Sequence, residues 1–361
     1  MEYNNDFSIQ DILSQFKKGT NTEVYGNGHI NDTYLCETSP KFILQRINTN
    51  VFKDPDAVME NIYNVTRHIR EKIEEAGGNP DRETMSIIPT KKGDIYYKHE
   101  TAGCFRMYTY VENTVSYDVA ERPEILMYAG HAFGKFQRML SDFPAEKLHE
   151  TIADFHNTPV RVQQLREAMN NNLSGRLESV EKEVSFALDY SKYAAKITEA
   201  MENGDVPLRV THNDTKLNNV LFDARTDKDV CVIDLDTVMP GSVLYDFGDA
   251  LRFGASSAEE DETNLDKVYF DLDKFEAFSK GFLSELGQCL TEKEVELLPL
   301  SALLMTYECG IRFLADHING DTYFKIHREN HNLDRARNQF ALVRDIETKL
   351  PQMAEIVKKY L

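Results

Sequence analysis

The chain has 361 residues, 41% of them hydrophobic, and a formal net charge of −19. This length exceeds the size at which single hydrophobic cores stop growing, so it predicts two lobes, and the composition is that of a folded globular protein. The negative charge argues against nucleic acid or an anionic membrane as a partner, because neutralising phosphates requires a basic surface.

The 5 cysteines are scattered and form no C-x-x-C pair. A disulfide framework and a zinc site are therefore both disfavoured, and small core thiols in a reducing compartment are expected. The chain shows no cationic segment followed by an apolar stretch at its start, and no run approaching the length of a membrane span. These features predict a cytoplasmic protein.

The first third of the chain has the pattern of a small β-rich region. Residues 1–18 contain a short amphipathic helix, and residues 56–76 form a longer helix that stops at Gly77-Gly78. The strand-like runs are residues 22–25, 32–37, 41–47, 87–90, 94–98 and 105–111. Their β-branched and aromatic residues, separated by turn residues, predict an antiparallel sheet.

After residue 113 the pattern becomes mainly helical. The predicted helices are residues 121–140, 160–203, 271–287, 291–318 and 332–360, and a short β insert lies at 208–210, 220–222 and 230–233. We therefore predict an α+β fold with a small antiparallel β N-lobe, residues 1–112, that ends in a hinge. A larger helical C-lobe, residues 113–361, follows, with the active-site loops between the two.

Two acidic motifs flank the β insert. The first is H-x-D-x-x-x-x-N, with His212, Asp214 and Asn219, and the second is I-D-x-D, with Asp234 and Asp236. Phosphoryl transfer to a hydroxyl requires one carboxylate at the acceptor proton and oxygen ligands that hold Mg²⁺ against the phosphates. A hairpin between the motifs would bring them together. The alternative is that these acids are ordinary solvated loop residues.

Both motifs carry a resemblance to a known family. The stretches T-H-N-D-T-K-L-N-N-V-L and I-D-L-D-T-V-M-P-G-S-V-L-Y-D-F-G-D-A-L-R-F-G-A resemble the N-acetylhexosamine 1-kinases, within the aminoglycoside phosphotransferase/choline kinase superfamily. The likeness extends to Y-G-N-G-H-I-N, A-D-F-H-N-T-P and E-C-G-I-R-F-L-A-D. It implies a bilobal protein-kinase-like fold and ATP-dependent phosphorylation of the anomeric hydroxyl of N-acetylglucosamine or N-acetylgalactosamine.

The resemblance also implies residue roles. Asp214 would be the catalytic base, and Asn219 and Asp234 would hold Mg²⁺. His212 would brace the loop by hydrogen bonding rather than titrate. Asp236 is either a second metal ligand or an orienting residue, and the orienting role is favoured.

On the nucleotide side, Gly26 and Gly28 lie between two strand-like runs, where backbone amides can approach phosphates, although such a pair also suits a plain hairpin turn. Asn31 stands where a third glycine would be expected. The third strand carries Gln45 at the site usually taken by a lysine, and strand alternation places Arg46 on the other face.

The segment 108–112 is the predicted hinge, with Tyr110 and Glu112 at the adenine edge. Glu60 is a tentative helix partner for a strand cation, and Gln45 puts that ion pair in doubt. Asp246 has the pattern of a structural acid that binds loop amides.

The acceptor pocket is predicted around an apolar helix that places Glu308 and Arg312 four residues apart. Arg312 is the expected sugar ligand, with Asp214 at the reacting hydroxyl and with Tyr323 and His29 as weaker candidates. The alternative is an i,i+4 ion pair on a solvated stripe.

Together these features predict a Mg²⁺-dependent sugar 1-kinase whose partners are ATP and a small sugar. No nucleic acid or membrane partner is expected, and the protein would be a monomer or weak homodimer. The alternatives are a kinase of the same superfamily for an aminoglycoside, homoserine, choline or another sugar, and a non-catalytic nucleotide-binding pseudokinase.

Overall fold

The computed structural model describes residues 8–16, 22–25 and 30–361. The strands of the N-terminal part are β1 Thr22–Val24, β2 Asp32–Cys36, β3 Phe42–Ile47, β4 Tyr97–His99 and β5 Gly103–Thr109. They form one antiparallel sheet in the order β1-β2-β3-β5-β4. In this register Gln45 of β3 lies opposite Arg106 of β5 on one side and Thr33 of β2 on the other.

Three helices belong to this part: α1 Ile9–Gln15, α2 Pro55–Glu75 and the short α3 Pro80–Glu83. The α2 helix begins where its sequence signals predict, because the Asp54 side chain accepts a hydrogen bond from the Ala57 amide at 3.1 Å and Pro55 occupies the first turn. It ends before Gly77, whose φ of +74° suits glycine. The predicted stop at Gly77-Gly78 is confirmed.

The two faces of the sheet pack against different helices, as strand alternation dictates. Phe42 and Leu44 join a buried cluster with residues of α1, whereas Ile43 and Ile47 pack into a second cluster with α2. That second cluster also contains Leu235 from the helical part of the chain. The α2 face of the sheet is therefore the face that meets the rest of the molecule.

The C-terminal part is mainly helical. Its helices are α4 Pro123–Met139, α5 Thr158–Asn171, α6 Glu181–Tyr190, α7 Lys196–Glu202, α8 Val243–Gly254, α9 Leu272–Leu286, α10 Glu292–Asn319 and α11 His331–Lys359. Its strands are β6 Thr114–Val115, β7 Arg209–Thr211, β8 Val220–Asp223, β9 Asp229–Val232 and β10 Met239–Gly241. They form two small antiparallel sheets, β6-β8-β9 and β7-β10.

Helix α4 lies unusually close to α9, and glycine makes this possible. A Cβ added at Gly281 would lie 1.9 Å from the Met127 carbonyl oxygen, and one at Gly130 would lie 2.2 Å from the Phe278 carbonyl oxygen. Neither position can accept a side chain without separating the two helices. This packing fixes α4, whose Phe133 and Phe136 contact His212 in the loop after β7.

Helix α10 is the central helix of the C-terminal part. A capping box of Thr291 and Glu294 defines its start, and Gly320 ends it in the left-handed region. Among the described residues it alone is long and apolar enough to cross a membrane, but 83% of its apolar window is buried inside the protein. Burial to that extent is typical of a core helix.

The α+β prediction, with a small antiparallel sheet and a larger helical part, is confirmed. The predicted boundary at residue 112 falls in the short segment between β5 and β6. The prediction of one helical span over 160–203 is wrong, because Asn172 adopts a left-handed φ of +40° that ends α5, and α6 and α7 follow separately.

Two further differences concern short segments. Helix α8 was not predicted, because its residues are buried on all sides and show no polar face to reveal a helical period. Residues 87–90 were predicted as a strand, but they contribute only isolated bridges, Ile87 to Tyr108 and Thr90 to Phe16.

Candidate active site

The loop after β7 is held in shape by one buried carboxylate. Asp246 of α8 accepts hydrogen bonds from the backbone amides of His212 and Asn213 at 2.9 and 2.8 Å, and from Gln137 Nε2 at 2.6 Å. Asn213 needs this support because its φ of +67° is unfavourable for a residue with a side chain. The sequence-based role of Asp246, a structural acid that binds loop amides, is confirmed.

His212 lies fully buried between the rings of Phe133 and Phe136 of α4. Its Nε2 donates to the Ile233 carbonyl at 3.0 Å, and its Nδ1 accepts from the Asp214 amide at 3.2 Å. Both ring nitrogens are therefore engaged, which fixes the tautomer. This geometry suits the predicted bracing role, since the ring connects the catalytic loop to the strand that precedes Asp234.

Asp214 is the accessible carboxylate of the loop, with its side chain 24% exposed. One oxygen lies 2.7 Å from Lys216 Nζ, and the other accepts from Asn219 Nδ2 at 3.2 Å. Asn219 Nδ2 also donates to the Asp214 carbonyl at 2.8 Å. The amide group of Asn219 is thereby oriented by its nitrogen, and its oxygen remains the group suited to a metal ion.

Asp234 follows β9 and adopts a left-handed φ of +60°. The Ile233 amide donates to the Asn219 carbonyl at 2.9 Å, so the two predicted metal ligands lie beside each other. Asp234 is exposed at the surface, but desolvation by the protein groups around its carboxylate and the negative charges of Asp236 and Asp214 raise its pKa to about 6.

Crowded carboxylates of this kind favour a cation between them. The oxygen donors of Asp234 and Asn219 are hard ligands of the type that Mg²⁺ prefers, so the residues present fit that ion. Within the described ranges no group of three or more His, Cys, Asp or Glu side chains forms a metal site by itself. Such a pair suits a Mg²⁺ ion whose remaining ligands are nucleotide phosphate oxygens and water.

Asp236 differs from Asp234, because it is buried and both of its oxygens face protein donors. Arg106 of β5 forms an ion pair with Oδ1, and Asn31 Nδ2 donates to Oδ2 at 2.6 Å. This arrangement favours the orienting role over that of a second metal ligand. Both donors come from the N-terminal sheet region, so Asp236 connects the two parts of the molecule.

On the nucleotide side, the Gln45 side chain is engaged with protein groups. Its Oε1 accepts from Arg106 Nε and Nη2 at 3.0 and 2.9 Å, and its Nε2 donates to Thr33 Oγ1 at 3.1 Å. Glu60 lies exposed and contacts His149 at 2.9 Å, so its suggested pairing with a strand cation is wrong.

Arg46 lies on the opposite face of the sheet, 3.7 Å from Asp32, as strand alternation predicted. In the hinge segment the Tyr110 ring meets the Tyr25 ring edge to face, with centroids 6.0 Å apart. The Glu112 side chain is exposed, and its carbonyl accepts from Arg82 Nη1 at 2.7 Å. The predicted glycines Gly26 and Gly28, and the predicted sugar ligand His29, lie outside the described residues.

The acceptor side is connected to the catalytic loop through His156. Its Nδ1 contacts Glu308 Oε1 at 2.9 Å, and its Nε2 contacts the Asn213 carbonyl at 3.3 Å. Thr158 Oγ1 donates to the other Glu308 oxygen at 2.6 Å. Burial opposes ionisation of Glu308, but these hydrogen bonds and nearby positive charge lower its pKa. Glu308 thus has partners other than the i,i+4 arginine.

Arg312 is half-buried and lies over the Phe324 ring, 5.5 Å from its centroid. Tyr323 is 73% exposed on the loop after α10, and its amide donates to Asp316 at 2.9 Å. Asp316 also accepts from the Phe324 amide at 2.9 Å. The structure therefore places the two predicted sugar ligands on neighbouring segments, with one carboxylate ordering the loop.

Sequence reasoning missed three residues at the site. Lys216 lies inside the T-H-N-D-T-K-L-N-N-V-L motif, but the motif alone assigns it no role. Arg106 was hidden in an apolar strand, although a charged residue at the centre of such a strand signals a buried partner. His156 belonged to the quoted A-D-F-H-N-T-P stretch, and nothing in the spacing alone shows that it reaches Glu308.

Solved structures of small-molecule kinases share this fold. A microcompartment-associated aminopropanol kinase matches with a TM-score of 0.65 and 17% identity, over 96% of this chain and 97% of its own. An aminoglycoside phosphotransferase from Alicyclobacillus acidocaldarius matches with a TM-score of 0.67 and 14% identity, over 99% and 98%. A choline/ethanolamine kinase family protein from Mesorhizobium loti matches with a TM-score of 0.55 and 13% identity, over 95% and 94%. These likenesses show that the chain has the fold of these kinases.

The sequence profile of the phosphotransferase enzyme family, APH, matches residues 21–278, which is more than half of the chain. The protein belongs to this family.

Proposed function

We propose that the protein transfers the γ-phosphoryl group of ATP to the anomeric hydroxyl of an N-acetylhexosamine, with Mg²⁺ bound at Asn219 and Asp234. The observation that carries the proposal is the position of His156. It contacts the Asn213 carbonyl of the loop after β7 at 3.3 Å and Glu308 of α10, the helix of Arg312, at 2.9 Å. The choice of N-acetylglucosamine or N-acetylgalactosamine rests on the resemblance of the sequence motifs.

In the proposed reaction the acceptor oxygen forms a bond to the γ-phosphorus, and the bond from that phosphorus to the β,γ-bridging oxygen breaks. Asp214 accepts the acceptor proton, and ADP leaves. Lys216, whose Nζ lies 2.7 Å from Asp214, places a positive charge beside the transferred group. A bound Mg²⁺ neutralises phosphate charge. Asn219 and Asp234 hold and orient it.

The acceptor side carries positive rather than negative charge, and this supports a neutral acceptor. Burial and then the charge of Arg312 lower the pKa of Arg161, while Glu308, Tyr323 and Asp154 raise it. The carboxylate of Glu308 is already bound by His156 and Thr158. A polycationic aminoglycoside or choline would meet like charge here, whereas sugar hydroxyls accept hydrogen bonds from arginine.

Several expectations remain part of this proposal. ATP is proposed as the phosphoryl donor, with Gly26, Gly28, Gln45 and the hinge residues on its side of the cleft. A cytoplasmic location, a monomer or weak homodimer, and no nucleic-acid or membrane partner are also proposed, and the charge of −19 supports the last of these.

An acceptor screen coupled to ADP release tests the proposal. N-acetylglucosamine and N-acetylgalactosamine should be phosphorylated, and their methyl glycosides, which block the anomeric oxygen, should not. Choline, homoserine and an aminoglycoside serve as matched acceptors from related kinases. Turnover of methyl glycosides, or preference for an aminoglycoside in a mixture, would refute the acceptor assignment. Nucleotide binding without turnover of any acceptor would favour a pseudokinase.

A further inference from the structure

Arg106 is a buried charge that the proposed reaction does not use. It lies in β5 and is only 1% exposed. Burying a cation is costly unless it is paired, so its partners indicate its role. Nε and Nη2 donate to the Gln45 oxygen at 3.0 and 2.9 Å, Nη1 pairs with Asp236, and the same nitrogen lies 3.9 Å from Met59 Sδ.

These partners occupy the place where protein kinases keep a strand lysine and a helix glutamate, a pair that must be formed for activity. Here β3 supplies Gln45 instead of a cation, and α2 directs Met59 toward the same space. Glu60, the neighbouring acid of α2, is at the surface with His149. The cation on this face of the sheet therefore comes from β5.

The carboxylate that Arg106 binds belongs to the metal loop. Asp236 lies two residues after Asp234, within the short 3-10 turn Leu235–Thr237. Asn31 holds its other oxygen at 2.6 Å, and Asn31 is itself fixed because its Oδ1 accepts from the Asn48 amide at 2.9 Å. Two side chains of the sheet region thus hold the loop that carries Asp234.

We propose that Arg106 is a positioning residue that sets the metal loop through Asp236, with Gln45 fixing the orientation of its guanidinium group. Binding of the Mg²⁺–nucleotide pair then depends on contact between the sheet and the metal loop. This inference rests on the proposed kinase function. Arg106 itself is enclosed by protein and acts through Asp236 rather than on the nucleotide.

The test compares charge-neutral variants, because removing Arg106 alone would leave a buried carboxylate unpaired. The double variant Arg106→Met/Asp236→Asn removes both charges at nearly constant volume. ATP binding is measured by calorimetry over a range of Mg²⁺ concentrations, together with kcat where turnover is found. Residues that orient metal ligands typically contribute about 10- to 100-fold to metal affinity or activity, and we expect a loss of Mg²⁺-dependent ATP affinity in that range. The acceptor KM should not change.

The control is another buried arginine–carboxylate pair. Arg209 binds Glu294 through Nε and Nη2 at 2.6 and 2.8 Å, and neither residue belongs to the predicted site. The variant Arg209→Met/Glu294→Gln should lose thermal stability but keep the Mg²⁺ dependence of the wild type.

A folded Arg106→Met/Asp236→Asn protein with wild-type Mg²⁺ dependence would overturn the proposal, whatever its thermal stability. If that variant does not fold, Asp236→Asn is compared by the same titration with Glu294→Gln, which also leaves a paired arginine without its carboxylate, and an equal Mg²⁺ dependence in both would overturn the proposal. Failure of the wild type to phosphorylate any acceptor would refute the proposed function instead. The ATP and Mg²⁺ titration would still report on Arg106.

Discussion

Two loops of the candidate site lie beside each other: the base loop, residues 212–219, and the metal loop, residues 234–237. Different parts of the molecule hold them. Asp246 of α8 binds two successive backbone amides, beginning with His212, so the base loop is fixed within the helical part. Asp236 is bound by Arg106 and Asn31, so the metal loop is held from the sheet.

This difference separates two kinds of defect. Substitutions of Asp214 and Asp246 should lower turnover and leave the Mg²⁺ dependence near that of the wild type, because neither side chain is hydrogen-bonded to residues 234–237. Changes at the metal loop should alter Mg²⁺ and nucleotide binding together, because side chains of the sheet region, Arg106 and Asn31, hold that loop through Asp236.

The largest effect is expected at Asp234. Asp234→Ala should eliminate activity at ordinary Mg²⁺ concentrations, because loss of a hard oxygen ligand leaves the phosphates without their clamp. Chelation with EDTA should silence the wild type in the same way, and added Mg²⁺ should restore it. ADP release is the readout, and turnover that persists in chelator would rule out the metal role.

The next effect concerns the base. Asp214→Asn should lower kcat by about 10²–10⁴, the usual contribution of general acid–base help. ATP binding and its Mg²⁺ dependence should remain near the wild type, since the Asp214 carbonyl, which the substitution leaves in place, still accepts from Asn219 Nδ2 at 2.8 Å. Single-turnover kinetics and calorimetry measure the two properties. A variant with more than about a tenth of the wild-type kcat would remove Asp214 from the mechanism.

Asp246→Asn probes the support of the base loop. An amide cannot accept from all three donors, so at least one buried N–H loses its partner, at a cost of about 1–3 kcal/mol. We expect a lower melting temperature and a lower kcat with unchanged Mg²⁺ dependence. A shift in Mg²⁺ dependence equal to that of the Asp236 variants would contradict the separation of the two loops.

The sequence predicted the parts of this site that are local. Asp214, Asn219 and Asp234 stand at fixed spacings around a hairpin, and β8 and β9 form it where alternation and turn residues placed it. The same holds for most of the sheet of the first third, where five of the six predicted strands lie within a few residues of their observed bounds and residues 87–90 form only isolated bridges. Their roles in phosphoryl transfer remain predictions.

What the sequence could not predict depends on contacts between distant segments. Gln45 stands where the third strand usually carries a lysine, and nothing in the sequence of β3 reveals that Arg106 of β5 lies opposite and supplies the positive charge. An ion pair between Glu308 and Arg312 was the alternative to a sugar-binding Arg312, but His156, 152 residues earlier in the chain, contacts the Glu308 carboxylate. Such partners follow from the fold and not from periodicity.

A smaller effect is expected at the acceptor. Arg312→Ala should lower kcat/KM for an N-acetylhexosamine about 10- to 100-fold, the effect of losing a hydrogen bond from a charged donor worth about 1.5–3 kcal/mol. A rise in sugar KM alone would indicate uniform binding, whereas a fall in kcat would indicate that Arg312 orients the attacking oxygen. The ATP KM should stay nearly constant.

Arg344 supplies the matched control, because it too lies over an aromatic ring, 4.5 Å from the Phe186 centroid, but belongs to α11 outside the predicted site. Arg344→Ala should leave the sugar kinetics unchanged. Unchanged kinetics in Arg312→Ala would refute that assignment while leaving the phosphotransferase family in place.

The smallest effect is a pH dependence of stability where α4 meets β9 and α9. A hydrogen bond with Asp229 raises the pKa of His131, and the Glu285 carboxylate adds to the shift, against burial and the charge of Lys135. A histidine whose folded pKa is raised stabilises the protein fully below its unfolded pKa of about 6.5 and loses that contribution as pH rises through the folded value.

The free energy of unfolding of the wild type should therefore exceed that of His131→Gln most near about pH 5.5 and least near about pH 8.5. Denaturant unfolding at both pH values measures the gap. Asp229→Asn should shrink the pH dependence, and a gap that widens with rising pH would show that His131 is stabilised in its neutral form.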